Sequence, residues 1–390
     1  MRITEIRERA VPLSANIQNS VVNFAEHNVS LVAVVSDVIR NGKPVVGVAF
    51  DSIGRFAQSG LLRERFIRRL LAAKPDDLLD ETGQGFDTEK AFRVMMRNEK
   101  PGGHGDRAHA VAAVELALWD LNAKLRDEPA WKTIAGHFGV APSERMPVYA
   151  AGGYYYPEDN LGRLQDEMRL YADQGYRQFK MKIGGAPLDE DMRRIEAALA
   201  VVGNAENLAV DANGRFDIPT AIAYGRAMQD FGLRWYEEPG DPLDYHLNAE
   251  LAKAYPYALA TGENLFSVID GRNLIRYGGM RPDRDWIQID PALAYGLTEY
   301  LRFLDACAEM GWPRRKLIPH GGHQLALNMA AGLQMGGSES YPGVFQPYGG
   351  FADDIPVVGG YTTLHETPGI GMELKRTMFA EMRTRLGYDD

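Results

Sequence analysis

Two lysines one residue apart, Lys180 and Lys182 of the stretch KMKIGG, lie in a short apolar run that reads as a β-strand. Residues i and i+2 of a strand share a face, so this run sends two ammonium groups into one small space. Further along, Asp211, Glu237 and Glu263 follow one another at intervals of 26 residues. Each lies near the end of an apolar run, and one strand-and-helix unit separates each from the next. The register therefore brings three carboxylates to the same depth. Three carboxylates crowd together in ionised form only around a cation. Hard oxygen donors with room left for water and substrate suit Mg²⁺, and the lack of His or Cys among the three argues against zinc. The next two runs end in Asp290 and His320. A rim of salt bridges would explain any one of these residues. It explains poorly six successive runs that each end in an ionisable group, because Lys, Asp and Glu are seldom buried without partners.

The chemistry such a set suits is removal of a proton next to a carboxylate. The carbanion needs a cation and a positive hydrogen-bond donor at the carboxylate oxygens. Lys180 is the candidate donor. Lys182 is the candidate base, and a neighbouring ammonium together with Mg²⁺ is expected to lower its pKa. His320 lies beyond the carboxylates on the other flank, with Asp290 placed to hold its imidazole. Glu237 is preferred to Glu238 as ligand because it keeps the 26-residue register; alternation then predicts that Glu238 points to the opposite face. His323, three residues after His320, reads as the start of a helix, and Cys307, the single cysteine, as core packing.

These positions need a scaffold that collects strand ends. From about Met146 short apolar runs alternate with amphipathic segments. Eight strands are expected, in PVYAAGGYY, QFKMKI, NLAVDAN, RWYEEP, ALATGEN, DWIQIDP, KLIPHGG and SESYPGV. The helical patterns between them cover 159–174, 188–202, 217–232, 244–255, 267–278, 294–310 and 323–335. That count is the arithmetic of an α/β fold of TIM-barrel type, whose active site lies at the C-terminal strand ends. The missing Gly-rich turn after the first strand weakens a doubly wound sheet. Before it, MRITEIRERAVPL, VSLVAVVSDVI and KPVVGVAF read as an antiparallel meander with a hairpin turn at Asn41 to Lys43. Residues 58–126 read as helices, the clearest being Arg107 to Leu125. The expected organisation is an α+β capping domain over 1–130, a (β/α)7β barrel over 146–350, and a segment 351–390 that returns to the cap without extending the barrel.

The chain has 390 residues, 43 basic against 53 acidic, for a net charge of −10. This disfavours nucleic acid or an anionic membrane as partner, while leaving room for a small anionic substrate at a locally positive site. No apolar run approaches membrane-spanning length, and the charged N-terminus has no signal-type core. A cytoplasmic enzyme, expected to form a homo-oligomer, is the reading.

The Lys-x-Lys pair, the Asp211/Glu237/Glu263 set and the Asp290…His320 pair together resemble the mandelate racemase subgroup of the enolase superfamily. AVAAVELALWDLNAK is similar to its cap helix and TPGIGMELK to its C-terminal return. The resemblance implies a modified (β/α)7β barrel with a cap, Mg²⁺, and chemistry on a hydroxy acid. Three further stretches, VNFAEHNVSLVAV, NEKPGGHGDRAHA and GGSESYPGVFQPYGGFADD, are most similar to those of D-tartrate dehydratases. That implies removal of the C2 proton by Lys182, loss of the C3 hydroxyl assisted by His320, and formation of oxaloacetate. Lys100 is then the candidate for the distal carboxylate. Glu339, Asn213, Tyr341 and Asn23 are further candidate substrate contacts. A longer acid sugar and a racemase or epimerase reaction remain open on the same residues. A cycloisomerase would be expected to carry a lysine where Asp290 stands. The tyrosines of GGYYYP read as packing.

Overall fold

The computed structural model describes residues 1–156 and 158–388. It opens with the expected meander. Strands Ile3–Pro12, Asn28–Arg40 and Lys43–Phe50 form a three-stranded antiparallel sheet. Asn41 and Gly42 turn the last hairpin with φ of 50° and 79°, the left-handed pair that matches strand twist in a two-residue loop. The helix Asp106–Arg126 lies on this sheet. Its residues 108–123 are buried on every side, since the sheet covers one flank and the helices Thr88–Met95, Ala130–His137 and Leu297–Glu309 cover the others. Gly47 permits the close approach: a Cβ there would run into the carbonyl of Ala117 and into Leu121.

The barrel strands follow as Arg145–Ala151, Phe179–Lys182, Leu208–Asp211, Tyr236–Glu237, Leu259–Thr261 and Trp286–Ile287, each parallel to the one before. Ser338–Ser340 pairs in parallel with the first strand and closes the ring. The expected seventh strand, KLIPHGG, is reduced to one parallel bridge, Ile287 to Leu317. Between the strands run the expected helices, with the 188–202 element matching residue for residue. Short polar side chains start several of them: Asp217, Asp244 and Ser267 accept from the backbone N–H three residues on, the usual cure for unpaired N–H groups at a helix start.

The C-terminal expectation needs a correction. Val357–Val358 and Tyr361–Thr363 form a hairpin whose second strand pairs antiparallel with the first barrel strand, Tyr361 opposite Pro147 and Thr363 opposite Arg145. The segment thus extends the barrel sheet first, because the first strand runs beyond the ring and leaves backbone groups to satisfy. Only then does it return to the cap. Ile370 N–H donates to Asp120 Oδ1 at 2.6 Å, and Trp131 Nε1–H donates to the His365 carbonyl at 2.7 Å. The helix Arg376–Leu386 then packs against the first two cap strands. The last two residues of the expected 351–390 segment lie outside the described residues.

Candidate active site

Strand register builds the site. Lys182 lies opposite Asp211, and Asp211 opposite Glu237. Lys180 and Lys182 both face inward and are almost completely buried, as period-2 alternation demands, while Met181 packs outward against Gly153. Glu263 follows the strand Leu259–Thr261 by two residues, after Gly262 at φ 128°. Ligand oxygens of Asp211, Glu237 and Glu263 all lie within 4.8 Å of one another. Three buried carboxylates at that spacing, with no nitrogen or sulfur donor among them, fit a hard divalent cation. Glu237 is oriented by Trp235 Nε1–H at 2.7 Å and Gln288 Nε2–H at 3.0 Å, both donating to Oε2. Asn213, at φ 50°, donates its backbone N–H to Asp211 Oδ1 at 2.9 Å.

The lysines pair with these carboxylates. Lys180 Nζ lies 2.6 Å from Glu237 Oε1 and 2.7 Å from Glu339 Oε1, and Lys182 Nζ lies 2.5 Å from Asp211 Oδ2. Burial pushes both ammonium groups toward neutrality, but the carboxylates outweigh it and raise both pKa values. The depression expected at Lys182 is tied to Mg²⁺ on the carboxylates; with Asp211 paired to the ammonium alone, the pKa of Lys182 shifts upward. Its like-charged neighbour Lys180 does lower it, but a carboxylate in direct contact counts for more. Glu237 is held up to about 7, by burial first and by its acidic neighbours, against the pull of Lys180.

His320 faces the carboxylates from the other flank. Its Nδ1 lies 3.3 Å from Asp290 Oδ2, and its Nε2 lies 3.0 Å from the Tyr341 hydroxyl and 3.5 Å from Glu263 Oε2. Burial disfavours the imidazolium, yet Glu263, Asp290 and Glu339 overcome it and raise the pKa to about 9. Glu339 also accepts from the Gly321 N–H at 3.1 Å, so it bridges the Lys180 and His320 sides of the site.

A cavity of about 460 Å³ lies over these groups, lined by Lys182, Asn213, Glu263, His320 and Tyr341 from the barrel and by Asn19, His27, Ile53, Arg55 and Phe56 from the cap. Four expectations change here. Lys100 is exposed and absent from this lining; its backbone carbonyl accepts from Arg107. The cap-side cation over the cavity is Arg55, which hydrogen-bonds Asn264 and follows Gly54 at φ 94°. Asn23 spends its side chain capping Ala25 N–H at 3.0 Å, and its neighbours Asn19 and His27 line the cavity instead. Glu238 does not turn away. Its φ of 41° ends the alternation, and the carboxylate lines the cavity, accepts from Asn264 Nδ2 at 2.6 Å, and is pushed up in pKa by burial and by Glu263. Of the tyrosines read as packing, Tyr154 also lines the cavity, its ring 5.4 Å from Lys182 Nζ.

Comparison with known proteins agrees with this construction. Residues 163–378 match the enolase C-terminal domain-like family. The 3,6-anhydro-alpha-L-galactonate cycloisomerase of Streptomyces coelicolor is 32% identical over 73% of this chain and 75% of its own length. The arabinonate dehydratase of Saccharolobus solfataricus is 26% identical, with 83% of each chain covered. The L-talarate/galactarate dehydratase of Salmonella typhimurium is 28% identical over 82% of this chain and 76% of its own. The structure of that last enzyme with Mg and L-lyxarohydroxamate superposes with a TM-score of 0.75 at 23% identity, covering 94% of this chain and 88% of the other. None of these names mentions tartrate. Matched by that family over more than half its length, with its lysine pair, carboxylates and Asp–His pair assembled at the barrel mouth, the chain belongs to the enolase superfamily.

Proposed function

We propose that this protein is a Mg²⁺-dependent dehydratase that converts a 2,3-dihydroxy acid to the corresponding 2-keto acid and water. The observation that carries the reading is the placement of Lys182 and His320 on either flank of the Asp211/Glu237/Glu263 carboxylates, at one cavity. When bound there, Mg²⁺ takes up the carboxylate charge and supplies electrophilic stabilisation to the substrate carboxylate.

The chain's own residues do the rest. Freed of its proton once Asp211 serves as metal ligand rather than as its ion-pair partner, Lys182 Nζ takes the C2 proton, and the C–H electron pair passes into an enediolate. Lys180, held cationic between Glu237 and Glu339, donates to a carboxylate oxygen on which charge builds. His320 gives a proton to the C3 hydroxyl; the C3–O bond breaks, water leaves, and the enol becomes the keto acid. Asp290 at His320 Nδ1 favours the charged imidazole, which suits an acid. Arg55 is placed to meet a distal carboxylate in place of Lys100. The names of the relatives point to acid sugars, and the cavity has room for chains longer than four carbons; D-tartrate is the short end of the class.

The 32% identical relative bears the name of a cycloisomerase, which favours a second reading in which no water is lost, although Asp290 stands where a lysine would be expected for that class. The test is a screen of arabinonate, galactarate, talarate and D-, L- and meso-tartrate with Mg²⁺, read by 2-keto acid formation and product mass. A product lighter by one water supports dehydration; an isomer of unchanged mass supports the second reading. Absence of turnover across the set would set aside the dihydroxy-acid class.

A further inference from the structure

Asp290 is met from behind by a residue of the capping domain. Ser52, two residues beyond the last cap strand, places Oγ 2.6 Å from Asp290 Oδ2 and 3.1 Å from His323 Nε2. Ser52, Asp290 and His323 all have no measurable exposure, so no solvent competes for these bonds. Their directions follow from one fixed point. His323 starts the helix Gln324–Gly332, and its Nδ1 accepts the Ala326 N–H at 3.2 Å. An accepting Nδ1 carries no proton, so in the neutral ring the proton is on Nε2. Burial pushes the His323 pKa down to about 4, with Asp290 opposing and His320 assisting, so the ring is neutral at ordinary pH. His323 Nε2–H then donates to Ser52 Oγ, and the Ser52 hydroxyl is left to donate to Asp290 Oδ2.

That oxygen is the one facing His320 Nδ1, and the other carboxylate oxygen accepts from the Ala292 N–H at 2.8 Å. Asp290 is therefore held at both oxygens before it meets His320. Gly321 leaves the space for this chain of bonds: a Cβ there would stand 2.6 Å from His323 Nε2 and 3.0 Å from Asp290 Oδ2. The cap ring of Phe50 backs His323, edge to face at 5.1 Å.

We infer that Ser52 and His323 are positioning residues for the Asp290–His320 pair, so that seating of the capping domain is part of assembling the acid on the barrel. The arrangement acts on His320 and leaves Lys182 alone. Its catalytic arm rests on the dehydratase reading, since only there do the two residues serve separate steps; its spectroscopic arm does not.

The experiment uses full-length protein with ¹⁵N-labelled histidine, and peaks assigned with His320→Asn and His323→Asn. The expected spectrum has His323 as the Nε2–H tautomer and a His320 Nδ1–H resonance that shifts in Ser52→Ala. With Mg²⁺ and galactarate, arabinonate or D-tartrate, Ser52→Ala should lower kcat for dehydration about tenfold, the order expected for a hydrogen bond to a charged group. KM and exchange of the C2 proton with deuterated solvent should stay within twofold, and Ser52→Thr should recover most of the loss. Should Ser52→Ala fail to fold, His323→Ser keeps an acceptor at the helix start while being too short to reach Ser52, and the same pattern is expected. An Nδ1–H tautomer at His323, an unmoved His320 resonance in Ser52→Ala, or equal loss of exchange and dehydration would each overturn the inference. If the wild type neither exchanges nor dehydrates any of the three acids, the proposed function fails, and the spectra still decide the role of Ser52.

Discussion

His109 gives a prediction whose size follows chiefly from its burial. It lies in the long cap helix with 1% of its surface exposed, edge to face with Phe266 at 4.8 Å. Among the described residues neither ring nitrogen has a hydrogen-bond partner. Burial, helped by the nearby Arg55, pushes its pKa from 6.5 down to about 3, with Asp290 pulling weakly the other way. A histidine whose folded-state pKa is depressed takes up its proton more readily in the unfolded chain. Folding stability is then undisturbed above about 6.5 and falls as the pH drops from there toward 3. At pH 4 the unfolded chain is protonated at this position and the folded one is not, so this one group removes about 3 kcal/mol relative to pH 7. The perturbation is His109→Leu, which keeps an apolar body of similar size and removes the titration. The assay is urea unfolding of wild type and variant at pH 7, 5.5 and 4. The variant should lose at least about 2 kcal/mol less than wild type between pH 7 and pH 4. Parallel pH profiles for the two proteins would refute the claim that this imidazole is buried in its neutral form.

Removing metal with EDTA should abolish turnover and Mg²⁺ should restore it; Mg²⁺ at 100 times its Kd should also stabilise the protein by about 2.7 kcal/mol in thermal unfolding, a gain that Glu263→Gln loses. Lys182→Met should lower both C2 exchange and dehydration by roughly 10³-fold, whereas His320→Asn should spare exchange and lose dehydration; near-normal kinetics in Lys182→Met would end its assignment as base. Arg55→Met should raise KM roughly ten- to a hundredfold for dicarboxylates and leave arabinonate unaffected, as read in paired steady-state assays. Glu115 of the cap accepts the N–H groups of Leu297 and Thr298, the Thr298 hydroxyl and Trp119 Nε1–H at 2.9–3.0 Å. Glu115→Ala should therefore cost about 3–5 kcal/mol by loosening the seat of the cap on the barrel, measured by urea unfolding at pH 7.

Much of the barrel site was legible because strands and βα units impose strict periods. Alternation put Lys180 and Lys182 on one face, and the 26-residue spacing put Asp211, Glu237 and Glu263 at one depth. The start of the last barrel helix at His323 and the turn at Asn41 and Gly42 were legible for the same local reasons, a side-chain acceptor in one case and left-handed φ in the other. Period failed where the backbone left it. Glu238 sits just past a two-residue strand with φ 41°, and one such residue cancels the alternation that would have turned it away. The run KLIPHGG has strand composition, yet it contributes a single bridge.

The sequence by itself determined which groups each strand end presents, since that depends on neighbours one or two residues away. Only the tertiary structure decided what those groups meet. Arg55 over the cavity, Ser52 behind Asp290 and the hairpin 357–363 against the first barrel strand all come from segments far from their partners in the chain. No local period links such pairs. The charge state of Lys182 is of the same kind. Its neighbour Lys180 is readable two letters away, but the carboxylate 2.5 Å from its nitrogen belongs to another strand, and at that range Coulomb attraction overrides what the adjacent ammonium would do.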